Sequence, residues 1–173
     1  MNSTLRRWTE IDHRLSAQAA GIVRGRLSRR CATAAAHSGD SLLWLVGGAL
    51  LWRFGSGAWA TAGERIVILN VLTWIVITAL KHLFRRSRPS GERGLFYLAM
   101  DRHSFPSGHA TRVAGLMVVL GGLLPASSAA GVVLWGLAVC LSRVALGLHF
   151  LADVAAGLAI GFVLGGLLLA FGL

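Results

Sequence analysis

The sequence predicts an all-α fold: an integral membrane helical bundle of about five transmembrane helices, preceded by an amphipathic helix at the interface. Two observations carry this expectation. Hydrophobic residues make up 55% of the 173 and charged residues only 14%, and a mean hydropathy of +0.66 suits a chain solvated largely by lipid. The apolar residues are also gathered into stretches with the length needed to cross about 30 Å of hydrocarbon. A single membrane-embedded domain, 1–173, is expected, with an amphipathic segment over 1–40 and the chemistry-bearing residues within 81–153.

Taken in order, the first element is a basic amphipathic helix over 5–27. Trp8, Ile11, Leu15, Ala19, Ile22, Val23 and Leu27 recur at steps of three and four, with Arg6, Arg7, Arg14, Arg24 and Arg26 between them. Such a helix either lies flat on acidic headgroups or packs on the rest of the domain. It has no uninterrupted apolar core of the kind a cleavable signal peptide carries, so the first hydrophobic segment is expected to direct insertion. Five apolar segments follow: 41–59, 66–84, 110–124, 129–148 and 151–173. The third is short for a span, and the polar residues before it are expected to extend the same helix along a protein-lined cavity. Small residues within the runs, such as Gly157, Gly161, Gly165 and Gly166, suit close helix contacts. Cys31 and Cys140 are the two cysteines, and they suggest neither a disulfide framework nor a thiolate metal site.

Threading five spans puts every unusual polar residue on one side of the membrane. The same side collects seven arginines from 1–40 and eight further lysines and arginines, against Arg53 and Arg65 on the other. The positive-inside rule makes that side cytoplasmic. A net charge of +10 therefore has a membrane explanation, and no nucleic-acid partner is expected.

Three clusters converge there: "KHLFRRSRP" at 81–89, "FPSGH" at 105–109 and "SRVALGLHFLAD" at 142–153. Lys81, Arg88 and Arg143 bring three cations from different segments, and guanidinium forks grip phosphate oxygens while lysine adds a point charge. Ser107 and Gly108, opening a helix before His109, offer a hydroxyl and backbone N–H groups where negative charge is stabilised. His149 and Asp153 are four apart. If the last helix begins at or before His149, the carboxylate bonds one imidazole nitrogen and leaves the other free to attack phosphorus, while His109 protonates the departing oxygen.

These residues match, position by position, K-x6-R-P (Lys81, Arg88, Pro89), P-S-G-H (Pro106 to His109) and S-R-x5-H-x3-D (Ser142, Arg143, His149, Asp153). In this the sequence resembles the type 2 phosphatidic acid phosphatase superfamily of lipid phosphatases and vanadium haloperoxidases. The resemblance implies a metal-independent membrane phosphatase with no cofactor, acting on a lipid phosphate. Lys81, Arg88, Ser107, Gly108 and Arg143 would hold the phosphate, with His109 as general acid, His149 as nucleophile and Asp153 orienting it. "SFPSGHATR" and "HSGD" at 37–40 look most like the polyisoprenoid (presqualene) diphosphate phosphatase branch. Arg112 would then contact a second phosphate, or else anchor the helix at the interface. His37 and Asp40 are expected to cap or tether the entrance to the first span. Arg85, Arg86, Arg93 and Arg102 would draw anionic headgroups or contact lipid. The alternatives are a phosphatidate or phosphatidylglycerophosphate phosphatase and, in another class, a non-catalytic lipid binder or translocator.

Overall fold

The computed structural model describes residues 3–89 and 103–172, and among these the chain forms seven α-helices and no strand. They are α1 (Ser3–Ala20), α2 (Arg26–Ser38), α3 (Ser41–Phe54), α4 (Ala58–Phe84), α5 (Gly108–Gly121), α6 (Ala126–Ala145) and α7 (Leu151–Ala170). Three of them, α4, α6 and α7, are long and apolar enough to cross a membrane. Arg93 and Arg102 lie outside the described residues.

The single amphipathic helix expected over 5–27 is two helices. The chain breaks at 21–25, where Gly25 opens α2: its N–H donates to Ser28 Oγ (3.1 Å), and that hydroxyl donates back to Gly25 O (2.9 Å). Glycine favours such a break because it gains least from helix geometry. Of the two placements open to α1, packing on the domain is seen at one edge. Asp12 Oδ1 accepts from Ala152 N (3.0 Å), and Ser16 Oγ accepts from Leu151 N (2.9 Å). These are first-turn N–H groups of α7 that no intrahelical carbonyl reaches. Trp8 and Leu15 stay exposed on α1.

The span boundaries also shift. The first apolar segment stops at Phe54, and Trp59 belongs to α4, which begins eight residues earlier than expected. Between them Gly57 adopts φ +53°, a conformation open to glycine at little cost. The fourth segment ends at Ala145, because Gly147 (φ +68°) reverses the chain before His149.

One of the two shortest apolar helices, α5, is the most buried. Ten of the 14 residues of α5 are buried, from Ala110 through Leu120, so this helix faces neighbours all round and needs no lipid-length exterior. Its close contact with α7 follows a step of four. A Cβ on Gly157 would come within 2.6 Å of Ser107 O and one on Gly165 within 2.9 Å of Val118 Cβ, while one on Gly161 would run into the Thr111 carbonyl. Small residues thus let the backbones meet. Gly166 faces open space and is not part of this seam. On the other side of α5, Ile66 and Leu69 of α4 pack on Leu116, Val119 and Leu120. The outer faces carry Leu42, Leu50, Trp74, Leu134, Phe162 and Leu167, all exposed, as lipid-facing surfaces do. α3 and α5, each 14 residues, are about 21 Å long at about 1.5 Å per residue. Both begin at the cluster described next.

Candidate active site

The C-terminal ends of α4 and α6 and the N-terminal ends of α3, α5 and α7 meet at one end of the bundle. Lys81 is buried in the last turn of α4. The helix ends at Arg85, whose left-handed backbone (φ 46°) turns the chain so that Arg85 stays exposed and Arg86 and Arg88 point inward. Arg88 Nη1 donates to Leu148 O (3.1 Å), joining the first cluster to the third. Arg143 is buried in the last turn of α6. Its carbonyl accepts from both Leu148 N (3.0 Å) and His149 N (3.2 Å), which folds His149 back beneath the helix end.

His149 is fully buried, and the expected pairing with Asp153 takes a different form. α7 begins at Leu151, so His149 stands before the helix, and Asp153 Oδ2 is 3.6 Å from Nδ1, beyond hydrogen-bond distance. Nδ1 instead donates to the carbonyl of Ser104 (2.8 Å). A carbonyl only accepts, so this bond places the proton on Nδ1 and leaves the lone pair on Nε2. Burial, together with the charges of Arg143, Arg88 and Lys81, outweighs the nearby Asp153 carboxylate and lowers the pKa of His149 from 6.5 to about 4. The ring is therefore neutral near pH 7.

Asp153 is spoken for. Its Oδ2 accepts from Phe150 N (2.9 Å), closing the first turn of α7, and its Oδ1 accepts from Arg86 Nη1 (2.7 Å). The other fork of Arg86 donates to Asp12 Oδ2 (2.7 Å), and its guanidinium lies over the Phe150 ring at 4.0 Å. Arg86, expected to face lipid headgroups, is thus a clamp between α1 and the carboxylate.

Across the site, Ser107 is the N-cap of α5. Its hydroxyl accepts from Ala110 N (3.4 Å) and its N–H donates to Asp153 O (3.0 Å). The N–H groups of Gly108 and His109 occupy the first turn, where the helix supplies no acceptor. The helix does not extend into the polar residues before it, as the sequence suggested, because the Ser107 cap starts it at Gly108. His109 Nε2 donates to Asp40 Oδ1 (2.8 Å), and the charge of Arg143 acts on both His109 and His149.

Arg112, the candidate second-phosphate contact, is buried one turn after His109, and its charge acts on that histidine. Its Nε donates to Asn70 Oδ1 (2.8 Å) and its Nη1 to Gly39 O (2.9 Å). Of the two roles expected for Asp40, cap or tether, the structure shows the tether, through His109 and His37. Asp40 stands at the N-cap position of α3, yet its side chain accepts no hydrogen bond from that helix.

The PAP2 superfamily model matches residues 64–172, a stretch holding most of α4, all of α5 to α7 and all three clusters. The chain belongs to the PAP2 superfamily. Two solved structures share its fold. A transmembrane PAP2-type phosphatidylglycerolphosphate phosphatase from Bacillus subtilis superposes with a TM-score of 0.74 at 22% identity, covering 99% of this chain and 87% of that one. LpxE from Aquifex aeolicus gives 0.72 at 22% identity, covering 91% and 93%. Within this PAP2 fold, sequence reasoning missed Asp12 and Ser104, gave Arg86 a lipid-facing role, and did not connect Asp40 with His109. One signal was available: only seven acidic residues occur in the chain, and Asp12, Asp40 and Asp153 are three of them.

Proposed function

We propose that the chain is a multi-pass membrane lipid phosphatase that hydrolyses isoprenoid mono- or diphosphates through a phosphohistidine, without a metal or other cofactor. The reading is supported chiefly by His149, a neutral buried imidazole whose Nδ1 proton is held by Ser104 O, beside Lys81, Arg88 and Arg143. In this mechanism the three cations bind the phosphate, helped by the N–H groups at Gly108 and Ser107's end of α5. His149 Nε2 attacks phosphorus, the bond to the lipid oxygen breaks, and its electron pair stays on that oxygen, which takes a proton from His109. Water then attacks phosphorus and gives a proton to His109, and the P–N bond breaks with its pair returning to Nε2. Asp153 acts through charge and through closing the turn that carries His149. The lipid tail stays among the apolar helices, five of which we read as spans, with α3 and α5 begun from a recessed site. By its charge distribution the site faces the cytoplasm.

A second reading, a phosphatidate or phosphatidylglycerophosphate phosphatase, is favoured by Arg112, whose Nε and Nη1 are already engaged by Asn70 and Gly39 and so have less to offer a second phosphate. Phosphate release from farnesyl diphosphate, farnesyl phosphate, phosphatidate and phosphatidylglycerophosphate in detergent separates the two. Preference for the farnesyl compounds is expected, and preference for a glycerolipid would select the second. His149→Ala should lose turnover on all four while remaining folded, and retained turnover would refute the nucleophile and revive a non-catalytic reading of the histidine pair.

A further inference from the structure

The junction 37–40, the end of α2 and the two residues before α3, is built with more care than a connection needs. Four elements hold it. Trp44 Nε1 of α3 donates to Ser38 O (2.8 Å) and Trp135 Nε1 of α6 to Ser38 Oγ (2.9 Å). Arg112 of α5 reaches Gly39 O, and Arg112 is itself fixed by Asn70 of α4, whose amide donates to Ile66 O (2.8 Å). Gly39 lies so close to α6 that a Cβ there would come within 2.8 Å of Val139 Cγ1. What this anchoring delivers is Asp40. An N-cap aspartate ordinarily accepts from the N–H groups of its own helix, but the two oxygens of Asp40 are given to two histidines. Oδ1 accepts from His109 Nε2 (2.8 Å) and Oδ2 from His37 Nδ1 (2.8 Å). His37 is half exposed to solvent.

The electrostatic need for that carboxylate follows from the neighbours of His109. Facing it are Arg143 from α6, Arg112 from its own helix and Asp40 from the turn. A group that must carry a proton to a leaving oxygen has to become an imidazolium among cations gathered for phosphate, and of these three neighbours the carboxylate at hydrogen-bond distance is the one that works in favour of that charge. Asp40 is suited to this: burial alone would raise its pKa, but the bonds from His109 and His37 prevail and hold it below the usual carboxylate range, so it stays anionic.

We infer that Asp40, held in the anchored turn 37–40, is the positioning residue of His109, orienting its ring through Nε2 and balancing its charge so that Nδ1 serves the leaving oxygen. The inference rests on the general-acid reading of His109 given above. The site then contains two histidines oriented by different means, His149 by a carbonyl and His109 by a carboxylate.

The experiment compares Asp40→Asn with the parent protein on dodecyl phosphate, a poor leaving group that needs protonation, and p-nitrophenyl phosphate, a good one that does not. Asp40→Asn should lower kcat for dodecyl phosphate by about 10²-fold, the size of a general-acid contribution, and for p-nitrophenyl phosphate by less than about tenfold, with KM little changed. Its alkaline limb should move to lower pH, because an imidazolium without its counter-charge loses its proton sooner, and Asp40→Glu should restore part of both effects. A misfolded fraction lowers both substrates equally, so the ratio is unaffected by folding. An equal loss on both substrates, or no loss, overturns the inference. So does a lowered KM with raised kcat, which would mean that Asp40 occupies the phosphate's place and is displaced by it. His149→Ala run in parallel tells the two readings apart: if it stays active, the phosphatase mechanism itself has failed.

Discussion

His149 illustrates how a residue's chemistry is set by what its nitrogens touch. Because Nδ1 is bonded to a carbonyl and the ring is buried among three cations, its neutral form should persist as pH falls through the ordinary histidine pKa of about 6.5 and yield only near the lowered value of about 4. In protein labelled with ¹³C-histidine in micelles, the signal lost in His149→Asn should therefore stay still between about pH 8 and pH 5. A midpoint near 6.5 would contradict the burial on which the proposed nucleophile depends. At this scale the sequence was partly legible. The i, i+4 spacing marks His149 and Asp153 as neighbours, but it suggests a shared helix face, whereas the glycine turn at 147 places the histidine outside the helix. Ser104 O could not be foreseen, since a backbone carbonyl is present at every residue and only the path of the chain brings this one to the ring. Arg86 and Arg88 look alike in sequence. The left-handed turn at Arg85 decides which inner face each arginine meets.

Helices packed through glycine make a sharper test at the scale of elements. Gly161 meets the Thr111 carbonyl of α5 with no room for a methyl group, so Gly161→Ala must part the two helices that carry His109 and Asp153, at a cost of about 1–3 kcal/mol from overpacking. Gly166, five residues on and facing open space, should gain about 0.5–1 kcal/mol from the same substitution, since alanine is the better helix former. Thermal unfolding in detergent should show a lower Tm for the first and an equal or higher Tm for the second; equal falls would mean that the seam is not where the close contact lies. Hydrophobic runs revealed the helices, but their ends were poorly legible: Ser107, Gly57 and Gly147 act through caps and backbone angles that apolarity does not register. Length misled as well, because α5 is short for a lipid-facing span yet is the helix enclosed by the others. The anchoring of 37–40 depends on contacts across about 70 to 100 residues, and such pairings carry no local signature.

For the whole molecule, the arrangement of ends makes sidedness testable with the chain's own chemistry. Antiparallel threading of α3 to α7 puts Lys81, Arg88, Arg143 and the two histidines at one end, where α2 hands over to α3, with the turn at 55–57 at the other. A charge bias of this kind normally marks the cytoplasmic face, although catalytic cations would add to it whichever way the site faced. The seven arginines of 1–40 are independent of that objection, apart from the use α1 makes of Asp12 and Ser16 to brace the site. Cys31 is exposed on α2 and Cys140 is buried in α6, so a membrane-impermeant maleimide reports on one position. In intact cells Cys31 should remain unlabelled until the membrane is opened, whereas Ser56→Cys in a Cys31→Ser background, exposed in the α3–α4 turn, should label from outside. Labelling of Cys31 from outside, with Ser56→Cys protected, would invert the orientation. The phosphatase would then meet its lipid in the outer leaflet, and the basic surface of α1 and α2 would need an anionic partner there.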